Sequence, residues 1–281
     1  MRTKHSFGYQ LRHSIIPYAL LGAGGLVFLF PFFWLVLTSL KTPEDIFRLP
    51  IVFFPEKFQW SNYTTALKAI PFFHYVGNTL LLCAINIVGQ LFSAPLVAYS
   101  LAKIQWRGRN LVFAIIVGTM ILPPQVMMIP TYILFSKLGW INTYLPLTIG
   151  SFFGAPFFIF LLRQFYMGIP KELSEASKID GASEFRIYWQ MMLPQLVPIL
   201  ATIVLFTFVG TWTDFLGPLL YLNDSNKWTL MLGLQGFLQE HGAQWELLMA
   251  AAALSTIPML ILFFFGQKYF MRAGSTMTGF K

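Results

Sequence analysis

The sequence predicts an all-α, polytopic membrane protein: one domain built from six transmembrane helices. Three observations carry this expectation. The chain is more apolar than a soluble domain tolerates, with 56% hydrophobic and 11% charged residues over 281 positions and a mean hydropathy of +0.64. Its apolar residues gather into runs of about 18 or more, long enough as helices to cross a bilayer. Lys and Arg are unequally shared between alternate connections, as they are in proteins oriented by their charge.

The spans follow in chain order. Arg2, Lys4 and Arg12 precede the first, 15–40, in which Pro31 marks an expected kink. That run is too long for a signal-peptide core and lacks a clear small-residue cleavage site, so it reads as uncleaved. The connection 41–74 is polar and rich in Pro and aromatics, with Trp60-Ser61-Asn62-Tyr63 ahead of a short helix. The second span covers 75–101, followed by a tight basic turn carrying Lys103, Arg107 and Arg109. The third, 110–135, contains Pro123-Pro124 and Pro130, and the fourth, 143–162, contains Pro146 and Pro156. A charged connection, 163–194, leads to the fifth span, 196–220. A second polar excursion, 221–246, precedes the sixth, 247–270, and a short Gly-rich basic tail. Prolines inside spans require neighbouring helices or a cavity to satisfy the freed backbone groups.

Six spans put both termini on one side. Thirteen Lys and Arg fall on that side, at the N-terminus, the turn after span two, the 163–194 connection and the C-terminus, against six on the other. The termini and the 163–194 connection are therefore expected in the cytoplasm, and 41–74 and 221–246 outside. The net charge of +8 belongs to this asymmetry and to the bilayer, not to nucleic acid. Cys83 has no partner for an intrachain disulfide, and His5, His13, His74 and His241 show no metal-ligand spacing. No Gly-x-x-x-x-Gly-Lys-Ser/Thr loop, carboxylate pair or Ser/His/Asp arrangement is present, so neither an ATP site nor an enzymatic activity of its own is expected.

The charged connection carries the most information. Pro170 suits a first helical turn, Glu172 and Glu175 complement the positive end of the helix dipole, and a helix over 170–179 is predicted. Gly181 permits a turn that other residues resist, and Ser183 is a plausible N-cap. A second helix should present Phe185, Trp189 and Met192 on one face and end near Leu193, before Pro194. Two amphipathic helices at an angle suit a groove on a partner.

Glu175-Ala176-Ser177, Asp180-Gly181-Ala182 and Leu193-Pro194 together resemble the EAA loop of bacterial ABC importer permeases. The surrounding chain, from the first span to the tail, resembles the carbohydrate-uptake branch and its maltose-type second permease subunit. Family members usually carry Ala where this chain has Ser177. The resemblance implies that Glu175 and Ala176 dock on a separate ATPase, with Gly181 setting the angle between the helices. For Asp180, local capping or pairing stands beside contact with that partner. The implied partners are a second homologous permease in a heterodimer, two cytoplasmic ATPase subunits that bind the ATP, an extracytoplasmic solute-binding protein and a carbohydrate substrate. Glycerol phosphate is the nearest alternative cargo, and an ion-coupled secondary transporter the rival from another class.

Within the spans, Asp214 is the acid at membrane depth, in a Trp212-Thr213-Asp214-Phe215 stretch similar to the carbohydrate-permease signature. A pathway or gate role and an interfacial surface position both remain open for it. Asn78, Asn86, Gln90 and Gln125 can each meet a sugar or bond a neighbouring helix. The resemblance assigns the external loop around Gln235-Gly236-Phe237 to docking of the solute-binding protein. The tail from Gly274 to Gly279 is similar to a family segment that reaches the ATPase, against the plainer reading of a disordered end.

Overall fold

The computed structural model describes residues 16–238 and 243–278. Every regular element among them is helical. Along the chain run α1 (Ile16–Ser39), α2 (Pro43–Phe47), α3 (Ser61–Ala69), α4 (Phe72–Ala102), α5 (Arg109–Thr119) and α6 (Pro124–Lys137). Then come α7 (Leu145–Thr148) with a 3₁₀ turn at Ile149–Phe153, α8 (Pro156–Gly168), α9 (Lys171–Ile179) and α10 (Glu184–Gln195). They are followed by α11 (Val197–Trp212), α12 (Leu216–Tyr221), α13 (Leu230–Leu234) and α14 (Trp245–Thr278), with 3₁₀ turns at Ser225–Lys227 and Gln235–Leu238.

Four stretches are long and apolar enough to cross a membrane: Ile16–Ser39, Phe72–Ala102, Leu145–Gly168 and Trp245–Lys268. Two further spans are complete only if each of two bent helix pairs is counted as one. The third span, expected to be broken by Pro123-Pro124 and Pro130, is such a pair, α5 and α6, meeting at 101°. Pro123 is extended and Pro124 opens α6, so the Pro-Pro pair ends one helix and starts another. Pro31 and Pro130, by contrast, lie inside unbroken helices. The fifth span is shorter than expected: α11 stops at Trp212, and Thr213–Phe215 separate it from α12. The fourth is in three pieces, and α14 continues to Thr278 through much of what was expected as a tail.

The chain forms two compact units, one of residues 1–70 and 234–257, the other of 71–233 and 258–281. In the first, the 41–70 connection is pinned to the end of α1. The Asn62 amide donates to the carbonyls of Ser39 and Lys41 at 2.9 Å each, and the Ser39 and Tyr63 hydroxyls share a 2.8 Å bond. Lys41 is only 2% exposed, donates to the Val52 carbonyl at 2.6 Å and sits over the Trp34 ring at 4.3 Å. Lys41 is thus a buried tie, whose carbonyl and aromatic partners replace water.

The second unit is organised around α4, which packs on α11, α8 and the 3₁₀ turn at Ile149–Phe153. Small residues allow that approach. Gly89 faces Ser151 so closely that a Cβ there has no room, and Gly154 at φ +75° lies against the Ala94 backbone. The Ser93 hydroxyl donates to Ser151 O at 2.9 Å, closing the contact with a polar bond in an apolar surround. Below it lies the core: Ala94, Ala98, Leu162, Tyr166, Ile187, Met192, Leu196, Ile199 and Ile203. Residues of the charged connection therefore reach into this core and fix the loop to the spans.

Candidate coupling loop and polar cavity

The loop is two helices joined by a turn with a defined cap. Asp180 ends α9, and Gly181 follows at φ +78°. The Gly181 N–H donates to Lys178 O and the Ala182 N–H to Ser177 O, each at 3.0 Å. This pairing is a Schellman cap, which needs a left-handed residue at its centre and so favours glycine. Across the turn the Ser183 hydroxyl accepts from Arg186 N–H at 3.3 Å and starts α10, the N-cap expected of it.

Of the expected coupling residues, Glu175, Ala176, Asp180 and Gly181 are exposed, while Ser177 is 7% exposed and turned inward. Its hydroxyl donates to Leu173 O at 2.8 Å and lies 2.7 Å from the Met191 sulfur. Asp180 contributes its backbone N–H to Ala176 O; its carboxylate lines a small cavity of about 250 Å³ with Arg186 and Gln190. Lys178 and Glu184 form an ion pair across the bend at 2.5 Å, and Tyr99 of α4 donates to Glu184 at 2.9 Å. Glu184 thus ties both loop helices to a membrane span, a role the sequence reading missed. Spacing offered no signal for it, because its partners lie 6 and 85 residues away.

Helix α10 differs from expectation in two ways. It does not stop before Pro194 but runs to Gln195, and the chain then bends by 75° into α11. Its centre, Ile187–Met192, is π-helical. The wider turn shifts which residues share a face. Phe185 and Trp189, 70% and 60% exposed and stacked at 6.5 Å, point outward, while Ile187, Tyr188 and Met192 are buried. Met192 is therefore separated from the face on which sequence spacing put it. With Ile179 at 87% exposure, the loop presents a bare apolar surface beside its charges.

A second candidate region is a polar cavity of about 290 Å³ between α4, the 3₁₀ turn and α11. Asn86, Gln90, Ser151, Thr207, Gly210 and Thr211 line it with Phe158 and Phe206. Asn86 donates to Leu147 O and Thr211 Oγ1 at 3.2 Å each, and the Gln90 carbonyl accepts from Ala155 N–H at 2.9 Å. The Thr207 hydroxyl is buried without a hydrogen bond. Thr207 and Thr211 were not singled out from sequence, although their i, i+4 spacing would place them on one helical face.

Asp214, Asn78 and Gln125 are not among the residues lining this cavity. The Asp214 carboxylate accepts from Gly217 N–H at 3.0 Å and caps the break before α12. Asn78 donates to the carbonyls of Asn226 and Trp228 at 2.9 Å each, and the Thr79 hydroxyl accepts from Leu230 N–H at 2.8 Å. These bonds hold the 222–230 segment on α4. Gln125 is exposed in the first turn of α6. Asn142, also missed, organises the same segment. At φ +62° its carbonyl side chain accepts from the N–H groups of Asn223 and Asp224, and its backbone O accepts from Lys227. Of the loop expected to probe a partner, Gln235 and Leu238 are exposed but Phe237 is buried; residues 239–242 lie outside the described residues.

Comparison with known proteins agrees with this geometry. Residues 94–273 match the family model described as the binding-protein-dependent transport system inner membrane component. The chain is 31% identical over 255 residues to the arabinooligosaccharides transport system permease protein AraQ of Halalkalibacterium halodurans, covering 90% of this chain and 91% of the relative. It is 30% identical over 267 residues to the sn-glycerol-3-phosphate transport system permease protein UgpE of Yersinia enterocolitica, covering 92% and 95%. Its fold matches a chain in the crystal structure of a bacterial ABC transporter involved in the import of the acidic polysaccharide alginate, with a TM-score of 0.80, 26% identity and coverage of 95% and 99%. The bent loop, the broken spans and these matches over nearly the whole chain place it in one family: it is a member of the binding-protein-dependent transport system inner membrane components, the permease subunits of ABC importers.

Proposed function

We propose that this chain acts as a single permease domain in a carbohydrate importer, with an oligosaccharide as cargo. A second homologous permease, two cytoplasmic ATPase subunits and an extracytoplasmic binding protein complete the assembly. In this reading both termini and the α9–α10 loop face the cytoplasm. The supporting observation is the loop itself: a capped bend tied to α4 through Glu184, bearing exposed Glu175 and Ala176 and an apolar surface of Ile179, Phe185 and Trp189. A rigid bent element rooted in the core of a span transmits force, whereas a flexible loop would absorb it. ATP binding and hydrolysis belong to the partner, because the chain lacks a phosphate loop.

The AraQ relative and the alginate importer favour an oligosaccharide; the UgpE relative keeps glycerol phosphate as the second reading. The polar cavity beside α11 suits sugar hydroxyls, with Phe206 and Phe158 offering ring faces. Asp214, Asn78 and Gln125 then act outside that cavity, on the breaks and loops that shape it. Membership in an ATP-driven family counts against the ion-coupled rival.

A cysteine at Ala176 tests the central claim. It should cross-link to an ATPase subunit in the purified assembly, and uptake by reconstituted vesicles should require ATP inside. Absence of the cross-link, or uptake by the chain alone, removes the coupling reading. Competition between arabino-oligosaccharides and glycerol phosphate decides the cargo.

A further inference from the structure

We propose that the cleft between the inner ends of α4, α5 and α8 and the loop helix α9 binds a phosphate group, supplied by an anionic lipid headgroup or by free phosphate.

The cleft has a volume of about 330 Å³ and is lined by five cationic side chains, Lys103, Arg109, Arg163, Lys171 and Lys178, against one carboxylate, Glu175. They come from four different elements. On α9 the lining residues are Lys171, Ser174, Glu175 and Lys178, which is one face of that helix. Three cations are braced by backbone carbonyls. Lys103 donates to Ile169 O at 2.6 Å, Arg109 to Ile104 O at 3.2 Å and Arg163 to Leu101 O at 3.4 Å. These bonds hold the side chains in place while leaving their charge unneutralised. Lys178 is paired with Glu184, and among the lining residues the other four cations have Glu175 as their one carboxylate.

The crowding has an electrostatic cost. Burial, and then the charge of Lys171, draws the Lys103 ammonium below its ordinary range, with Glu172 opposing. Like charges held around a cavity by backbone bonds are relieved by a bound anion, and several Arg and Lys donors converging on one space match the oxygens of phosphate. Depth points to the same ligand. The cleft opens where α4 and α8 end and α5 begins, and Trp106 lies in the intervening turn, half-exposed with its Nε1 donating to Ser100 O at 3.3 Å. Indole rings favour the headgroup layer, and basic recesses between helices at the inner face hold anionic headgroups. A phosphate there bridges Lys171 on the coupling helix to Lys103, Arg109 and Arg163 at the ends of the spans, and so stiffens the loop.

This inference rests on the inward orientation proposed above but not on the cargo or the ATPase contact, so it is read without transport. The full-length chain is purified in neutral detergent and exchanged into vesicles of phosphatidylcholine with or without phosphatidylglycerol; retained lipid is quantified by native mass spectrometry. Phosphatidylglycerol should be retained preferentially, and Lys171→Gln should weaken retention about fivefold, the effect of one cation at an anionic surface. Lys137→Gln, at the far end of α6, should leave it unchanged. Among the described residues the Lys171 side chain makes no hydrogen bond, so the effect of Lys171→Gln does not depend on unfolding. In a parallel arm, inorganic phosphate is added to the chain in detergent. A Lys171-dependent rise in melting temperature without lipid preference identifies free phosphate as the source. No lipid preference together with no phosphate effect overturns the proposal, as does an equal loss with Lys137→Gln. An acidic segment of a partner protein as the true occupant would give that negative result in both arms.

Discussion

The Ser177 hydroxyl lies 2.7 Å from the Met191 sulfur, across the bend between α9 and α10, and buries a position where a helix pair could otherwise open. A thioether is a weak acceptor, so the hydrogen bond itself contributes little, and the close fit matters more. Ser177→Ala should therefore cost no more than about 1 kcal/mol. Ser177→Leu should cost about 1–3 kcal/mol by overpacking against Met191. Thermal unfolding in detergent checks both; equal effects would mean that the bond, not the space, sets the helix pair.

Gly181 holds the turn at φ +78°. Open space surrounds its Cα, so the penalty for a side chain there comes from the backbone alone. Gly181→Ala should lose about 1–2 kcal/mol, and Gly181→Val more, because a β-branched residue resists the left-handed region further. The larger consequence is angular. Both variants should lower uptake while leaving the amount of inserted protein near normal, measured by vesicle transport against immunoblot.

Glu175 is exposed and lines the cationic cleft. Glu175→Lys adds a like charge there and should cost up to about 1 kcal/mol, modest because the position is solvated. Uptake should fall to background, and substrate should no longer stimulate ATP hydrolysis by the assembly. Normal uptake by the inserted variant would end the coupling assignment.

Thr79 is fully buried and accepts from Leu230 N–H while donating to Tyr75 O. Thr79→Val keeps the shape but orphans a buried backbone donor, at a cost of about 1–3 kcal/mol. Proteolysis between Asn226 and Leu230 should accelerate in this variant. Unchanged cleavage would show that the bonds from Asn78, His74 and Asn142 are enough to hold the loop.

Gly89 meets Ser151 where α4 crosses the 3₁₀ turn. Gly89→Val should be among the most damaging single changes, at about 1–3 kcal/mol or beyond, because the short Ser151 side chain and the Phe152 ring beside it must both yield. Gly89→Ala combined with Ser151→Gly should recover part of the loss. Non-additive melting temperatures in that double-mutant cycle confirm the contact.

Several elements were legible in the sequence because they depend on local chemistry. Long apolar runs set α1 and α4, Pro-Pro broke the third span at its expected place, and Ser183 and Gly181 capped the loop helices. The break was legible but its 101° angle was not, since a proline ends a helix without fixing where the next one goes. The face of α10 was misread because a π-helical centre departs from the 3.6-residue period that sequence spacing assumes. The roles of Lys41 and Asn78 were not legible for another reason: their partners, Val52 O and the Asn226 and Trp228 carbonyls, are backbone groups brought near only by folding.

By itself the sequence determined that this protein lives in a membrane, that its loop after the fourth span is a bent pair of helices, and that the chain carries no phosphate loop. Hydrophobicity, turn stereochemistry and motif spacing act over a few residues, so they can be read in one dimension. Only the tertiary structure decided that Glu184 joins the loop to Tyr99 and Lys178, that Thr207 and Thr211 share a cavity with Gln90, and that four elements crowd their cations around one cleft. Those relations join residues far apart in the chain, where position is set by packing and by the need of buried polar groups for partners.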